Sequence, residues 1–323
     1  TYLITEKKMK LLLWITLPIV FLALYFVAPQ SKNPPETEPT PSTPKREEPT
    51  ATPILEPVSL SVFPTTLIQG EPALITINGL TSISAIQSLT LDNKPLAIFV
   101  DQGKFSALVG IDLHRTPGSY PIILTLADGQ VIEGKIEIGQ RIMATEAFDI
   151  PEQLGGNTPQ AEQELTNTLS QDTVILNAIT TTISPEKLWD GQFQLPLAGS
   201  PTVTDVYGYS RQTGSVNLSH NGTDFRAPVG TPVYAMNSGV VVFAKSFRNY
   251  GNTVIIDHGL GLMTMYMHLS EITIKLSDSV EKGDLIAKSG NTGYSLGPHL
   301  HLSVRMGGFS IDPEKFLELV GSK

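Results

Sequence analysis

Three short segments near the C-terminal end of this 323-residue chain contain residue types that bind metals or transfer protons. The first runs from His220 to Asp224, the second contains His268 at the end of an apolar run, and the third contains His299 and His301. Imidazole and carboxylate groups are common ligands of catalytic zinc ions and common general acids and bases. The segments therefore predict a metal site or a catalytic pair of histidines.

The spacing in His299-Leu-His301 indicates a strand with two imidazoles on one face. Successive side chains of a strand point to opposite faces, so Leu300 and Leu302 then point into a core. An aspartate near a histidine in a glycine-containing loop, as in the segment from His220, completes a mixed nitrogen and oxygen donor set. A single histidine on a strand is more often structural, so the prediction depends on the three segments together. The chain has no His-Glu-x-x-His sequence, which excludes the thermolysin-like zinc enzymes.

Two histidines are predicted to lie outside this chemistry. His258 begins a turn after a strand and is expected to be structural rather than a ligand. His114 stands between Leu113 and Arg115 and is expected to be an incidental surface residue.

Residues 58–140 are expected to form an immunoglobulin-like β-sandwich. Short runs of alternating or β-branched side chains lie here, for example Leu74–Ile77 and Tyr120–Leu126. Turn signals such as Pro117-Gly118 and Asp128-Gly129 separate these runs. About seven strands in roughly eighty residues is the pattern of that class of sandwich. The segment is predicted to be a spacer, a binding module or an inhibitory cover.

Residues 141–192 are expected to form a partly helical connector. Thr158 is suited to cap a helix, and Pro159 is suited to its first position. A loose apolar stripe follows, made of Ala161, Leu165, Leu169, Leu176 and Ile179. This stripe predicts one or two helices packed against a neighbouring domain.

The N-terminal residues 1–28 are expected to be a cytoplasmic tip and a transmembrane signal-anchor. Residues 11–28 carry no charge, and three lysines precede them at positions 7, 8 and 10. A run of this length can cross a bilayer, with the lysines kept on the cytoplasmic side. A cleaved signal peptide is the alternative, and in both cases the rest of the chain is exported. Residues 29–57 are rich in proline, threonine, glutamate and serine, which predicts an extended linker.

Composition excludes several classes of protein. The net charge is −9 and the pI is about 5.2, so no nucleic-acid partner is expected. The chain contains no cysteine, which excludes disulfides, thiolate metal sites and a cysteine nucleophile. A hydrophobic fraction of 41% with only 16% charged residues argues against a disordered chain.

Residues from about 193 to 317 resemble the LytM/lysostaphin-type zinc endopeptidases of bacterial cell walls. The resemblance is carried by the segments HNGTDFRAPVGTPVYAMNSGVV, YGNTVIIDHGLGLMTMYMHLS, VEKGDLIAKSGNTGYSLGPHLHLSVR and IDPEKFL. It implies that residues 193–323 form a small antiparallel β metallopeptidase domain with an open groove, similar to the duplicated hybrid motif. The expected fold class of the whole chain is therefore mainly β: an N-terminal transmembrane helix, the sandwich, the short helical connector and this domain.

By position, the resemblance assigns His220, Asp224 and His301 as the ligands of one Zn²⁺ per chain. It assigns His268 and His299 as a pair of catalytic histidines that do not bind the metal. All five positions are filled, whereas degenerate members of the family that do not hydrolyse peptides lack some of them. The implied function is hydrolysis of the peptide cross-bridges of peptidoglycan, in cell-wall growth, division or remodelling.

Two alternatives belong to other functional classes. One is a non-hydrolytic envelope protein that binds the wall and activates or recruits another hydrolase. The other is an architectural envelope protein whose sandwich binds a partner and whose enzyme domain is held shut. The expected partners are a peptidoglycan peptide, the membrane through the N-terminal helix, and an envelope or division protein that docks on the sandwich. The expected location is the cell membrane, with a single pass and most of the chain extracytoplasmic.

Overall fold

The computed structural model of the protein describes residues 56–180, 184–213 and 216–321. The predicted signal-anchor, residues 1–28, and nearly all of the predicted linker, residues 29–57, lie outside the described residues. Within the described part of the chain, no helix has the length and apolar character needed to cross a membrane.

The first described segment forms two β-sheets around one apolar core. One sheet has the strand order β1-β3-β7-β6 and the other has the order β2-β9-β8-β4-β5. Inward side chains such as Ile75, Ala107, Ile122 and Leu124 are fully buried between them. Seven of the nine strands overlap the runs predicted from the sequence, because alternating apolar side chains bury one face of each strand, whereas the two-residue strands β2 and β5 were not predicted. Their bounds are β1 (Ser59–Phe63), β2 (Leu67–Ile68), β3 (Pro72–Asn78), β4 (Ile86–Leu91), β5 (Lys94–Pro95), β6 (Phe99–Asp101), β7 (Lys104–Gly110), β8 (Gly118–Leu126) and β9 (Val131–Gly139).

The connector contains one short strand, β10 (Thr145–Ala147), and one long helix, α1 (Pro159–Thr180). The predicted helix start is confirmed, because the Thr158 hydroxyl accepts a hydrogen bond from the backbone N–H of Ala161 at 3.2 Å. Strand β10 pairs in parallel with a strand of the C-terminal domain. The connector therefore packs with the C-terminal domain.

The C-terminal domain is mainly β, as predicted. Its central sheet has the order β11-β14-β22-β18-β17-β16-β20, with β23 paired to β22, and the smaller sheets are β10-β12-β13 and β15-β21-β19. The bounds are β11 (Val203–Asp205), β12 (Ser210–Thr213), β13 (Val216–Ser219), β14 (Thr223–Arg226), β15 (Pro232–Tyr234), β16 (Gly239–Phe247), β17 (Gly251–Gly259), β18 (Leu262–Leu269), β19 (Glu271–Ile272), β20 (Ser279–Val280), β21 (Leu285–Lys288), β22 (His299–Met306), β23 (Phe309–Ile311) and α2 (Pro313–Val320).

The two faces of the central sheet have different surroundings. On one face, Leu300, Leu302 and Val304 of β22 join the main apolar core together with Tyr266 of β18. On the other face, the methionines of β18 at positions 263, 265 and 267 pack with Leu176 of α1. The odd-numbered residues of β22 project from the same face of the sheet as these methionines. Helix α1 therefore packs on that face.

Candidate metal centre

Strand pairing brings Asp224 and His301 together although 77 residues separate them in the chain. Asp224 of β14 lies directly opposite His301 of β22 in the antiparallel register. Residues opposite each other in such a pair have Cβ atoms about 5 Å apart. His220 follows β13, and its backbone N–H donates to the carbonyl of Tyr209 at 2.7 Å. The sheet and this anchored loop thus hold three predicted ligands at one place.

Three ligand atoms of these residues converge. The Nε2 atom of His220 lies 3.1 Å from Oδ1 of Asp224 and 3.1 Å from Nδ1 of His301, and the last two atoms are 2.7 Å apart. All three side chains are buried or nearly so. A tetrahedral zinc ion would separate its ligand atoms by about 3.4 Å, so small side-chain rotations admit an ion. Two imidazole nitrogens and one carboxylate form a donor set suited to zinc, and this set fits the predicted metal.

Neighbouring groups orient these ligands. The Nδ1 atom of His220 donates to the carbonyl of Val206 at 2.8 Å, so its Nε2 atom presents a lone pair to the site. Oδ2 of Asp224 accepts a hydrogen bond from Arg211 at 3.0 Å, and Arg211 also pairs with Asp205. Arg211 therefore holds the carboxylate through Oδ2, while Oδ1 faces the histidines.

Charge and burial set the protonation states of the ligands. Burial alone would raise the pKa of Asp224, but its contacts with the imidazole rings of His220 and His301 outweigh burial and hold that pKa well below its usual value. Burial lowers the pKa of His301 to about 4, although Asp224 acts in the opposite direction. At neutral pH the site thus presents an ionised carboxylate and an unprotonated His301, as metal binding requires.

His268 and His299 lie beside the three ligands, with their ring centroids 4.8 Å apart. The Nδ1 atom of His268 donates to the carbonyl of Thr292 at 2.8 Å, and that of His299 donates to the carbonyl of Gly297 at 2.8 Å. Each ring therefore keeps its Nε2 atom available for a proton. Burial, together with the nearby imidazoles, lowers the pKa of His268 to about 3. The structure thus groups all five residues that were predicted to carry the chemistry.

Local backbone features allow this packing. His268 has a φ of +58°, a left-handed conformation that is uncommon for a non-glycine residue and is often found at functional sites. Gly222 lies against the metal centre, where an added Cβ would be 2.4 Å from Nε2 of His301 and 2.4 Å from the carbonyl oxygen of Leu302. Only glycine fits there, which explains the glycine between His220 and Asp224.

A cleft of about 300 Å³ adjoins the metal centre. The sheet provides its floor, including His268, His301 and Arg305, and apolar side chains of α1 such as Leu165 and Leu169 line it as well. The exposed His114, from the loop between β7 and β8, also lines this cleft, so the residue predicted to be incidental lies at the site. This volume lies at the lower end of the range for ligand-binding clefts.

An adjoining cleft of about 270 Å³ is lined by Asp224, His299 and Phe148. The ring of Phe148 contacts that of Tyr294 at 5.3 Å between centroids, and Tyr294 lines both clefts. The Tyr294 hydroxyl donates to the carbonyl of Asp149 at 3.3 Å. The connector segment after β10 therefore contacts Tyr294, the residue that lines both clefts.

His258 is structural, as predicted. It is fully buried, its Nδ1 atom donates to the carbonyl of Ser238 at 2.8 Å, and its Nε2 atom lies 2.8 Å from the Thr264 hydroxyl. Burial lowers its pKa to about 4. Both ring nitrogens of His258 have hydrogen-bond partners in the core, so neither is left over for a ligand.

Two arginines near the candidate metal centre were not predicted from the sequence. Arg211 lies in a segment without a recognisable motif, and its contact with Asp224 becomes visible only in the folded chain. Arg305 could have been found, because it continues the alternation of His299, His301 and Ser303 along β22. Extending the period-two pattern by two more positions places its side chain on the same face as the histidines.

The C-terminal domain matches known proteins. A profile described as Peptidase family M23 matches residues 218–313. The chain is 47% identical over 96 residues to the peptidoglycan DD-endopeptidase ShyA of Vibrio cholerae, a match that covers 30% of this chain and 22% of that protein. It is 35% identical to the catalytic domain of lysostaphin from Staphylococcus simulans, covering 36% of this chain and 92% of that domain, with a TM-score of 0.34.

A peptidase M23 structure from Pseudomonas aeruginosa is similar over a longer stretch, with a TM-score of 0.56 and 25% identity. The similarity covers 77% of this chain and 94% of that structure. By contrast, the chain spans about a quarter of the length of the curated relatives that it matches first. The sequence similarity to these curated proteins is thus concentrated in the domain that carries the five site residues.

Proposed function

Since the chain belongs to peptidase family M23 through its C-terminal domain, we propose that it is a zinc-dependent endopeptidase that hydrolyses peptide cross-links of bacterial peptidoglycan. The observation that carries this proposal is the convergence of His220, Asp224 and His301 within 3.1 Å of one another, with two further histidines beside them. The name of the Vibrio relative, a peptidoglycan DD-endopeptidase, supports the substrate class.

The metal would be held by Nε2 of His220, Oδ1 of Asp224 and Nδ1 of His301. When bound with three protein ligands, zinc lowers the pKa of a water molecule to about 7 and polarises a carbonyl group. Arg211 keeps Asp224 in place through the outer carboxylate oxygen, and Val206 keeps His220 in the required tautomer. The protein thereby supplies a ligand set that needs little rearrangement on binding.

His268 and His299 supply proton transfer in this proposal. Because backbone carbonyls hold the Nδ1 proton of each ring, Nε2 is the atom that accepts or delivers a proton. A positioned general acid or base contributes roughly 10²–10⁴-fold to a rate. The ring that faces the developing negative charge on the substrate carbonyl also donates a hydrogen bond to it.

The test is hydrolysis of purified sacculi by the full chain, with and without a chelator, followed by mass spectrometry of the released muropeptides. We expect stoichiometric zinc by elemental analysis and chelator-sensitive release of peptides cut at the cross-link. His268→Ala and His299→Ala should lose most activity while retaining zinc, and His301→Ala should lose the metal. Wild-type turnover in both of the first two variants would contradict the assignment.

The principal alternative is a regulator that activates another wall hydrolase without cutting peptides. The five filled positions argue against it, because a regulator does not need a complete donor set. A chain that binds no zinc and leaves sacculi intact, yet stimulates a second hydrolase, would favour the regulator.

The proposal also includes placement in the cell envelope. The uncharged run of residues 11–28 and the lysines before it support an uncleaved anchor in the cell membrane. The proline-rich residues 29–57 would carry the enzyme away from the bilayer, and the two sheets of residues 59–139 would act as an immunoglobulin-like spacer or docking module. Membrane fractionation of the chain with and without residues 1–28 tests the anchor, because only the longer form should sediment with membranes.

A further inference from the structure

Arg305 lines the same cleft as the metal centre but has no role in the chemistry described above. It lies four residues after His301 on β22, so both side chains project from the same face of the strand. At about 3.3 Å per residue, their Cα atoms are about 13 Å apart. The cleft therefore has a cation at a defined distance from the predicted zinc ligands.

Within the described part of the chain, Arg305 has no carboxylate partner. Its Nη1 atom donates to the carbonyl of Gly308 at 3.3 Å, and its Nε atom is buried without a hydrogen-bond partner. Two other arginines of the protein differ in this respect: Arg211 pairs with Asp224, and Arg141 pairs with Asp312. Arg305 thus combines partial burial with a missing counterion.

A guanidinium group in this position is costly to the folded protein. Removing a charge from water is unfavourable unless an opposite charge or hydrogen bonds replace the lost hydration. Burial lowers the pKa of Arg305, whereas Tyr250 and Tyr207 act in the opposite direction. Arginine stays protonated even so, because its pKa is far above neutral. An anion bound in the cleft would supply the opposite charge that this guanidinium lacks.

The surroundings indicate the chemical class of that anion. Polar groups line the cleft near Arg305, among them Tyr250 and Ser303, while Leu165 and Leu169 of α1 line it with apolar side chains. A peptide could place its apolar side chains against the helix and a carboxylate on the arginine. Guanidinium groups bind carboxylates through strong charge-assisted hydrogen bonds, which supply the opposite charge that Arg305 lacks.

We propose that Arg305 binds a free carboxylate of the peptide substrate and thereby selects acidic peptides. The inference rests on the proposed function, because it assumes that a peptide occupies the cleft beside the metal centre. A peptide extended along β22 covers 13 Å with about four residues. Arg305 therefore contacts the substrate away from the bond that is cut, as a specificity-determining residue rather than a catalytic one.

The test compares two synthetic probes, a cross-linked peptide dimer of the peptidoglycan type with free carboxyl groups and the same dimer with its carboxyl groups converted to amides. Binding to the zinc-loaded full chain is measured by calorimetry in a His299→Ala background, which prevents hydrolysis. We expect the acid dimer to bind at least about tenfold more tightly than the amide dimer. Arg305→Gln should abolish that preference, and Lys245→Gln, which removes an exposed charge from β16, should preserve it.

Kinetics with otherwise wild-type protein provide a second readout. Because Arg305 binds the substrate away from the reacting carbonyl, Arg305→Gln should raise KM for the acid dimer about tenfold or more and leave kcat nearly unchanged. Arg305→Lys should have an intermediate effect, because a lysine keeps the charge but not the planar fork. Arg305→Gln should melt no lower than the parent chain, since it removes an unpaired charge.

Two results would overturn the inference. One is equal binding of the acid and amide dimers by the parent chain, a comparison that needs no Arg305 variant to fold. The other is an unchanged acid preference in a folded Arg305→Gln protein. If the wild-type chain cleaves neither dimer, the proposed function fails, whereas the calorimetric preference still decides the role of Arg305.

Discussion

Backbone carbonyls determine which ring nitrogen is available at three histidines of the metal centre. The Nδ1 atoms of His220, His268 and His299 each donate to a carbonyl at 2.8 Å, so the Nδ1 proton is fixed and the lone pair lies on Nε2. His301 has the opposite orientation, because its Nε2 side packs against Gly222 and its Nδ1 atom faces Asp224. The chemistry of the site therefore depends on main-chain positions as much as on the five side chains.

Arg211 is expected to tune metal affinity through Asp224. Its guanidinium holds the outer carboxylate oxygen, and loss of such a supporting partner typically weakens metal binding 10–100-fold. Arg211→Gln should therefore raise the zinc dissociation constant by about that factor, measured by competition with a chromogenic chelator. Lys245→Gln is the matched control for loss of one positive charge. An unchanged dissociation constant in a folded Arg211→Gln protein would contradict this role.

The buried His258 predicts a pH dependence of stability. Burial lowers its folded pKa to about 4, below the ordinary histidine pKa of 6.5 that applies when the chain unfolds. Its neutral form therefore stabilises the fold fully above pH 6.5, and this contribution is lost as the pH falls from 6.5 towards 4, because the unfolded chain then binds a proton that the folded chain does not. The total effect is on the order of 3 kcal/mol.

Urea unfolding between pH 4 and 7 tests this prediction by comparing the wild type with His258→Asn. The free energy of unfolding should fall less steeply with decreasing pH in the variant, by up to about 1.4 kcal/mol per pH unit. Parallel pH profiles of the two proteins would show that His258 does not titrate as expected.

At the scale of elements, α1 is joined to the site face of the central sheet by polar as well as apolar contacts. Oδ2 of Asp172 accepts hydrogen bonds from the backbone N–H of Asn249 at 3.1 Å and from its Nδ2 atom at 2.9 Å. Thr168 also hydrogen-bonds Asn249, and Leu176 packs on the methionines of β18. These hydrogen bonds therefore fix the position of α1 on the domain, which its apolar stripe alone would not do.

Replacing Asp172 by alanine should loosen α1. The substitution leaves two buried N–H donors of Asn249 without their acceptor, which costs about 1–3 kcal/mol. Amide hydrogen exchange across α1 should accelerate, while exchange in β7 and β8 of the N-terminal sheets should not change. Gln171→Ala, at an exposed position of the same helix, is the control. Equal exchange in the two variants would show that the hydrogen bonds to Asn249 do not hold the helix.

At the scale of the whole described region, Arg141 connects the N-terminal sheets with the C-terminal domain. Its Nε atom donates to the carbonyl of Gln69 at 2.7 Å, and its Nη2 atom donates to Asp312 at 3.0 Å. Asp312 is also the N-cap of α2, where it accepts hydrogen bonds from the backbone of Glu314 and Lys315. One arginine thus links a strand end of the N-terminal sheets with a helix end of the C-terminal domain.

Arg141→Met should lower the free energy of unfolding by about 3 kcal/mol, because it leaves a nearly buried carboxylate without its cation. Thermal unfolding monitored by circular dichroism measures the loss. Lys135→Met removes an exposed lysine whose pairing with Glu137 contributes little, so it should leave the melting temperature nearly unchanged. Similar melting temperatures for the two variants would contradict the bridging role of Arg141.

Local sequence patterns predicted much of the fold and of the candidate site. Alternation of side chains placed His299 and His301 on one face and Leu300 and Leu302 in the core, and Thr158 marked the start of α1. These features depend on backbone geometry over a few residues, so a short stretch of sequence is enough to predict them. The three segments that contain the five site residues also stand out as short motifs, but the division into metal ligands and catalytic histidines came from the resemblance to the LytM/lysostaphin-type family.

Other features arise only when distant surfaces meet. The pairing of Arg211 with Asp224, the lining of the cleft by His114 and the hydrogen bonds of Asp172 to Asn249 join segments with no common periodicity. The missing counterion of Arg305 is also invisible in the sequence, because it depends on the distance to every carboxylate of the described chain. Local patterns determine which face of an element is buried, whereas charge pairing and access to the cleft depend on which faces pack against each other.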